Sequence, residues 1–381
     1  MWVLPEKVIG KLIYRKQLRK YNKIRGKIMK AWVLHDIGKI TLDEVSVPQP
    51  AAGEVLLKVH AAGICGSDIP RIYDTGAHSM PLIPGHEFAG EVVGVGAEVK
   101  DAWIGKRVGV FPLIPCRECR PCSERRYEMC RSYSYLGSRR DGGFAEYVAV
   151  PEWNLIELAD NVAYEEAAMS EPMAVAVHAI RRVQPETSDT VVVCGLGTIG
   201  ELIVMFLIDM GIKNILVVGN KDFQRQSVLK MGICADNFCD SRNTDVKKWI
   251  MERTGGYGAD VVFECVGNRT TVEQAVDVAA PAGRVCMVGN PHSDMEFARD
   301  IYWKILRHQL VVTGTWNSAY YGSDAADSER DDWHYVQKRL AGGAVHPAEL
   351  ITHRYGIDEL EKGFEIMHGK TEDYVKIMME L

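Results

Sequence analysis

Four cysteines lie in one short segment with the spacing C-x2-C-x2-C-x7-C; they are Cys116, Cys119, Cys122 and Cys130. Close C-x2-C pairs bring thiolates to one point on a tight turn, and four thiolates satisfy the tetrahedral coordination of zinc. Charged residues stand between them, which indicates a surface lobe. The spacing therefore predicts a structural zinc site, which four thiolates close and which leaves no position for chemistry.

Two other uses of these thiols compete with zinc. Disulfides form in oxidising compartments, whereas an acidic chain without a secretory signal points to the reducing cytoplasm, where we expect this protein. An iron–sulfur cluster uses overlapping cysteine spacings and stays an alternative. We favour zinc, so the reacting residues must lie elsewhere.

A second group of possible metal ligands is spread along the chain. Cys65 stands in GICGSD, His86 and Glu87 stand in PGHEFAG, and Glu171 stands at a predicted helix start. Cysteine, histidine and glutamate all bind zinc, and three protein ligands plus a water make a catalytic site. Taken singly, each residue also has an ordinary structural explanation. Spacing alone does not bring them together.

A glycine-rich loop follows an apolar run in VVVCGLGTIGEL. Gly195, Gly197 and Gly200 form G-x-G-x-x-G, with Thr198 and Ile199 in the turn that opens a predicted helix. In that context the first glycine makes the turn, the second admits a pyrophosphate, and the third packs helix on strand. The helix N-terminus then faces the phosphates. The loop predicts a dinucleotide-binding site.

The next apolar strand lacks the acid that holds the adenosine ribose of NAD. Gly219 stands at that place, followed by Asn220 and Lys221, with Arg225 one turn later. Loss of a negative charge beside added positive ones suits the 2′-phosphate of NADP, which we favour. Asp222 leaves NAD as the alternative.

Apolar runs alternate with helical lengths beyond about residue 181. The runs are 190–195, 214–219, 259–267, 283–289 and 310–316. This alternation predicts an α/β domain with a parallel sheet covered on both faces. Since strand ends face the ligand crevice in such sheets, we expect Val266 and Gly289 to approach the nicotinamide. Residues 29–160 carry short apolar runs separated by glycines and predict a β-barrel or sandwich.

The chain has 381 residues, 47% hydrophobic and 25% charged, which predicts two domains. The chain contains no run of about 18 apolar residues, so it offers no candidate for a membrane span. Residues 1–28 hold nine Lys/Arg and one acid, while the whole chain carries −6. A basic arm for nucleic acid, membrane surface or import competes with an extension outside the fold, which we favour. The acidic remainder argues against nucleic acid and predicts no membrane partner.

Five motifs occur in a family-specific order. GICGSD, GHEFAG, the four-cysteine segment, GGFAEY and the later glycine loop resemble the zinc-dependent medium-chain dehydrogenases, in particular their polyol dehydrogenase branch. The resemblance runs from Met29 to about Leu381. It implies a doubly wound Rossmann domain over 181–317. It also implies a GroES-like catalytic domain over 29–180 and 318–381, with the zinc lobe at 112–131.

The resemblance also implies roles for the scattered ligands. Cys65, His86 and Glu171 would bind the catalytic zinc, and Glu87 would be an alternative ligand. Two zinc ions per chain and NADP or NAD are the implied cofactors, and a homodimer or homotetramer is the implied assembly.

The residues after Cys65 would serve proton transfer. Ser67 would start the proton relay, and Asp68 would orient a metal ligand. Pro70 stands where some relatives place a histidine that aids the relay, so the path beyond Ser67 stays open.

Two arginines and an aromatic segment are candidates for substrate binding. Guanidinium groups bind phosphate bidentately, so Arg139 and Arg140 suit a polyol phosphate, although they are equally suited to surface ion pairs. Trp316 and Asn317 offer an aromatic face and hydrogen bonds to a polyol. The resemblance implies a substrate of the galactitol 1-phosphate type. Sorbitol, L-iditol, ribitol phosphate and L-threonine are the alternatives, and a non-catalytic NADP- and zinc-binding protein is the alternative of another class.

Overall fold

The computed structural model describes residues 24, 26–291, 293–323 and 330–381. They form two compact units: the described residues up to Glu171 together with Ala319–Leu381, and Pro172–Ser318. The predicted boundaries lay at 180/181 and 317/318. The predicted basic extension falls almost entirely outside the described residues, and the first strand begins at Ile28.

The strands are β1 (Ile28–Asp36), β2 (Lys39–Ser46), β3 (Glu54–Ile64), β4 (Glu87–Val95), β5 (Arg107–Val110), β6 (Leu113–Ile114), β7 (Ser134–Tyr135), β8 (Tyr147–Pro151), β9 (Leu155–Glu157), β10 (Thr190–Cys194), β11 (Asn214–Gly219), β12 (Phe238–Asp240), β13 (Ala259–Glu264), β14 (Ala279–Met287), β15 (Val311–Gly314), β16 (Ile351–Tyr355) and β17 (Lys376–Glu380). The α-helices are α1 (Asp68–Tyr73), α2 (Arg120–Ser123), α3 (Tyr164–Ala168), α4 (Ser170–Val183), α5 (Thr198–Asp209), α6 (Asp222–Lys230), α7 (Val246–Arg253), α8 (Arg269–Asp277), α9 (Arg299–Arg307), α10 (Asp332–Ala341) and α11 (Leu360–Gly369).

The first unit is built around a seven-stranded sheet with the order β16-β17-β3-β4-β5-β9, with β8 also paired to β3. In β3 the side chains of Leu56 and Leu57 are both fully buried, and the pairing with β4 shifts register between them. The register places Gly63 of β3 opposite Glu87 on one side and Met378 on the other. The ends of three strands therefore meet immediately before Cys65.

The second unit is a six-stranded parallel sheet with the order β12-β11-β10-β13-β14-β15. The central run Val191–Val193 is completely buried, as expected for a strand covered by helices on both faces. The order reverses direction at β10, which is the doubly wound arrangement. The predicted fold class, a doubly wound α/β domain with a separate β-rich domain, is confirmed. Within the described residues, no helix combines the length and apolar character that a membrane span requires.

Candidate functional site

Three of the predicted metal ligands converge in the first unit. Cys65 follows β3, His86 precedes the neighbouring strand β4, and Glu87 is the first residue of β4. One ligand atom from each lies within 4.8 Å of the others. His86 is 4% exposed and Glu87 is 1% exposed, so both side chains are almost completely shielded from water. A thiol, an imidazole and a carboxylate at this separation are a donor set that fits zinc.

Asp68 organises this cluster from the first turn of α1. Its carboxylate is fully buried and accepts a hydrogen bond of 3.0 Å from the backbone N–H of Cys65. It also lies 3.3 Å from Nδ1 of His86 and forms an ion pair with Arg71. Burial lowers the pKa of His86, but the charges of Asp68 and Cys65 outweigh burial and raise it well above its usual value. The resemblance implied this orienting role, and the distances are consistent with it.

Glu87 forms a buried ion pair that was not among the predicted interactions. Its carboxylate contacts Nζ of Lys376, and both side chains are 2% exposed. The same Nζ donates a 3.0 Å hydrogen bond to the carbonyl of Ile64. A Cβ on Gly63 would lie 2.3 Å from Glu87 Oε2, so only glycine fits beside this pair. A lysine inside the apolar run YVKIMM was the available signal, since an unpaired lysine is rarely buried.

Glu171 lies in the first turn of α4 and is 7% exposed. Among the described residues, its carboxylate oxygens do not belong to the group of ligand atoms formed by Cys65, His86 and Glu87. The hydroxyl of Tyr135 donates a 3.2 Å hydrogen bond to Glu171 Oε1, and the Tyr135 ring lies edge-on to His86 with centroids 5.8 Å apart. Burial and the charge of Glu87 raise the pKa of Glu171 to about 7. Tyr135 is a further site residue that spacing did not reveal.

Ser67 is the residue before α1 and stands beside the metal cluster. Its hydroxyl donates to the sulfur of Cys65 at 3.4 Å. Pro70 lies within α1 and offers no side chain that carries a proton. The serine hydroxyl is thus placed next to a predicted ligand, as a relay would need.

The four lobe cysteines gather at one point. Their sulfurs lie 3.5 Å apart for Cys119 and Cys122, 3.9 Å for Cys119 and Cys130, and 4.0 Å for Cys116 and Cys122. Four sulfurs at about 2.3 Å from a tetrahedral zinc ion would be about 3.8 Å apart. Backbone N–H groups of Arg131 and Cys122 lower the pKa of Cys119 to about 6, which favours its thiolate. The sulfur cage fits zinc.

Aromatic side chains hold the lobe against the rest of the first unit. The guanidinium of Arg117 lies 4.8 Å from the ring centroid of Trp153, and that of Arg125 lies 4.4 Å from Tyr321. Tyr127 packs edge-on against Trp153, with centroids 5.2 Å apart. The lobe is therefore anchored by side chains that do not coordinate metal.

The glycine loop connects β10 to α5 in the second unit. Gly195 has φ +95°, and a Cβ on Gly200 would lie 1.9 Å from the carbonyl of Gly195. Gly197 caps α5, and a Cβ there would meet nothing within 4 Å. Thr198 and Ile199 complete the first turn of the helix. Bare backbone beside free space at a helix N-terminus fits a pyrophosphate.

Gln224 fills the place beside the strand end where an NAD-binding acid would be expected. It is 9% exposed, its Oε1 accepts from the N–H of Asn220 at 3.2 Å, and its Nε2 donates to the carbonyl of Leu196 at 2.8 Å. A Cβ on Gly219 would lie 3.0 Å from Gln224 Oε1 and from Leu196. A larger side chain at position 219 would thus force its neighbours to move.

The alternative acid, Asp222, is engaged in an ion pair. Nη2 of Arg242 lies 2.6 Å from its carboxylate and 2.6 Å from that of Asp240. Lys221, which caps α6, has its ammonium 5.3 Å from the ring of Phe223. Arg225 follows in the first turn of that helix. The spacing pattern did not reveal Arg242, because it reaches this place from the loop after β12.

The predicted substrate residues are distributed over both units. Arg140 forms an ion pair of 2.5 Å with Glu54, and Arg139 donates to the carbonyl of Tyr133 at 3.0 Å. Trp316 is 56% exposed and Asn317 has φ +58°; both belong to the second unit. The two arginines thus have protein partners.

Two family descriptions match this chain. The alcohol dehydrogenase GroES-like domain matches residues 51–160, and the zinc-binding dehydrogenase family matches residues 198–332. The chain is 32% identical to galactitol 1-phosphate 5-dehydrogenase of Escherichia coli K12 over 86% of this chain and 92% of that protein. It is 34% identical to L-threonine 3-dehydrogenase of Pyrococcus abyssi over 87% and 92%.

Solved structures show the same architecture. A zinc-binding dehydrogenase of Sinorhizobium meliloti bound to NADP superposes with a TM-score of 0.85 at 28% identity, covering 93% of this chain and all of that one. An alcohol dehydrogenase, rspB, of Escherichia coli CFT073 in complex with NADH gives a TM-score of 0.84 at 28% identity, with the same coverage. Together with the identities above, these similarities confirm the expected resemblance: the chain belongs to the zinc-dependent medium-chain family of NAD(P)-dependent alcohol and polyol dehydrogenases.

Proposed function

We propose that this enzyme reversibly oxidises a secondary alcohol of a polyol phosphate of the galactitol 1-phosphate type and transfers the hydride to a nicotinamide dinucleotide. The observation that carries the proposal is the convergence of Cys65 with the buried His86 and Glu87 beside the hydroxyl of Ser67. A donor set of this kind leaves room for an exchangeable ligand, as a catalytic zinc site requires.

Glu171 is proposed as the third zinc ligand, with Glu87 as the alternative. The Glu87 carboxylate is already neutralised by the ammonium of Lys376, whereas Glu171 has a neutral phenol as its hydrogen-bond partner. A carboxylate without a cationic partner is the better ligand, because it gains more from a nearby metal ion. The four thiols of the lobe would hold a second, structural zinc ion.

The chain's own residues would prepare the alcohol for oxidation. A bound zinc ion supplies Lewis acidity toward the alcohol oxygen. Ser67 would take the proton of the substrate hydroxyl while it passes its own hydroxyl proton on toward solvent, and Asp68 would keep His86 and the Cys65 backbone in place. The dinucleotide supplies the hydride acceptor, and Val266 and Gly289 are proposed to line its nicotinamide end.

The phosphate of the substrate is assigned to Arg139 and Arg140. Each guanidinium has five N–H donors and uses only part of them in its protein contacts. Trp316 and Asn317 are proposed to contact the carbon chain and its hydroxyls.

Initial rates with galactitol 1-phosphate and with galactitol test the substrate. We expect turnover of the phosphorylated polyol, and Arg140→Ala should lower kcat/KM for that substrate alone. Glu54→Gln frees the guanidinium and should preserve or improve the phosphate preference. Arg120→Ala, on an exposed face of the lobe, is the matched control. Equal rates for both polyols, or turnover of sorbitol, L-iditol, ribitol phosphate or L-threonine alone, would reject the assignment. Absence of turnover with all of them would favour a non-catalytic protein.

NADP is proposed as the preferred dinucleotide. Position 219 has no carboxylate, Gln224 occupies the adjoining space, and Arg242 binds the carboxylate of Asp222. A 2′-phosphate could displace Asp222 from Arg242, because that aspartate is 81% exposed and exposed ion pairs are weak. Lys221 and Arg225 add positive charge, and Asn220 adds a side-chain amide.

Fragment binding tests the dinucleotide preference. Calorimetry should show tighter binding of 2′,5′-ADP than of 5′-AMP, and Arg242→Gln should reduce this difference. Tighter binding of 5′-AMP would assign NAD to the site.

A second copy of the chain is the proposed partner for an apolar patch of the second unit. The name refers to the exposed apolar residues of α9 and of the sheet edge β15, which follows it closely in sequence; they are Tyr302, Trp303, Leu306, Val311 and Val312. Among the described strands, β15 pairs only with β14, so its other edge offers backbone groups to an identical strand. Light scattering should give a dimer or tetramer, and Val311→Lys should yield monomers. A monomeric wild type would contradict the proposal.

A cytoplasmic location is proposed as well, since thiolate zinc sites need a reducing compartment.

A further inference from the structure

Glu264 is a buried acid that belongs to neither metal cluster. It is the last residue of β13, at the centre of the parallel sheet, and its side chain has no exposed surface. Its Oε2 has no hydrogen-bond partner among the described residues. A buried carboxylate with an unsatisfied oxygen is destabilising, so its presence calls for a role that a neutral residue would not fill.

The side chain of Glu264 accepts hydrogen bonds from the loop that follows its own strand. Oε1 accepts hydrogen bonds from the backbone N–H of Val266 at 2.8 Å and of Gly267 at 2.9 Å. It also accepts one of 2.7 Å from the hydroxyl of Thr271 in α8. Three donors on one carboxylate oxygen fix the direction of the loop, because a charged acceptor makes hydrogen bonds about twice as strong as a neutral one.

The backbone of Glu264 accepts hydrogen bonds from the loop that follows the next strand, β14. Its carbonyl accepts from the N–H of Val288 at 2.8 Å and of Gly289 at 2.9 Å. The two loops touch directly, since a Cβ on Gly289 would lie 2.2 Å from the nitrogen of Gly267. One residue therefore joins the two strand-end loops that are proposed to line the nicotinamide end of the crevice.

We infer that Glu264 is a positioning residue that sets the two loops around Val266 and Gly289 for the nicotinamide half of the dinucleotide. The inference rests on the proposed dinucleotide function. The adenosine half lies at the end of β11 in that proposal, so its binding depends on Gly219 and Arg242 and not on these loops. Glu264 should thus act on one half of the cofactor alone.

The test compares a whole dinucleotide with its adenosine fragment. Calorimetry on the zinc-loaded full chain would measure NADPH and 2′,5′-ADP, or NADH and 5′-AMP if the wild type binds that pair. Glu264→Gln should weaken the dinucleotide about tenfold or more and leave the fragment within about twofold, because it removes a charged acceptor from two backbone donors. KM for the dinucleotide should rise by a similar factor, and Glu252→Gln, at an exposed acid of α7, is the matched control.

Thr271→Val provides a milder variant should Glu264→Gln fail to fold. It removes one of the three donors and should weaken the dinucleotide about threefold, again without changing the fragment. Equal weakening of dinucleotide and fragment, or no change in either, would overturn the inference. A wild type that binds neither nucleotide would instead reject the proposed function.

Discussion

The two thiol-containing sites of the first unit differ in how the chain builds them. The lobe takes all four sulfurs from one segment, Cys116 to Cys130, and tight turns with positive φ at Arg117 and Arg125 bring them together. The second site takes Cys65, His86 and Glu87 from the ends of two neighbouring strands, and its proposed ligand Glu171 from helix α4. A zinc site with four protein ligands can be built from one short segment. A site that keeps one coordination position open takes its ligands from several elements, so other parts of the fold must hold those ligands in place.

The groups around the two sites differ in the same way. Backbone N–H donors from within the lobe favour the thiolate of Cys119. At the second site Asp68, which is close in sequence, contacts Cys65 and His86, whereas Tyr135 and Lys376 reach Glu171 and Glu87 from other elements. Substitutions outside the ligands should therefore matter more for the second site.

The largest effect is expected for Cys65→Ser. Turnover should fall to background and zinc content should fall from two ions per chain to one, because a serine hydroxyl is a poor zinc ligand. Circular dichroism should show the fold retained. Initial rates and elemental analysis measure both outcomes, with Cys234→Ser, an exposed thiol, as control. Normal turnover in Cys65→Ser would remove the distinction between the two sites.

Cys119→Ser should affect stability first. Loss of one thiolate opens the closed site, so the lobe should lose zinc and the free energy of unfolding should fall by several kcal/mol, of order 5. Turnover per folded molecule should persist well below the lowered Tm. Thermal denaturation with metal analysis measures this, and unchanged zinc content would contradict a metal role for the lobe.

Asp68→Asn should act through the ligands that Asp68 holds. Removing its charge should lower zinc affinity of the Cys65 site about 10- to 100-fold, as for other groups that orient ligands. Competition with a chelator should release one zinc ion early and leave the lobe ion bound. Asp74→Asn, an exposed acid beyond α1, serves as control. Simultaneous release of both ions would show that the two sites are not independent.

The smallest effect is expected for Arg117→Ala. Its cation–π contact with Trp153 should contribute about 0.5–1 kcal/mol to stability, without a change in zinc content or turnover. Urea denaturation measures the change. Arg120→Ala, which removes an exposed ion pair with Glu124, should give a smaller loss. An equal loss for both variants would mean that Trp153 does not anchor the lobe.

The sequence predicted those elements whose signal is local. The apolar runs at 190–195 and 214–219 coincide with β10 and β11, because buried parallel strands are apolar throughout. The C-terminal strands were harder to predict from the sequence. Strand β17 is short and carries Lys376 within an apolar run, and its partner β3 lies more than 300 residues earlier. No local pattern reports a pairing of that kind.

Sequence alone therefore determined the four-cysteine cage and the glycine loop, since in each the chemistry follows from spacing within one turn or one strand–helix connection. The tertiary structure decided which charges meet: Lys376 with Glu87, Tyr135 with Glu171, and Arg242 with Asp222. These pairs join residues from different elements, and the Coulomb interaction depends on distance through space and not along the chain. The electrostatic environment of both proposed binding sites is for that reason a property of the fold.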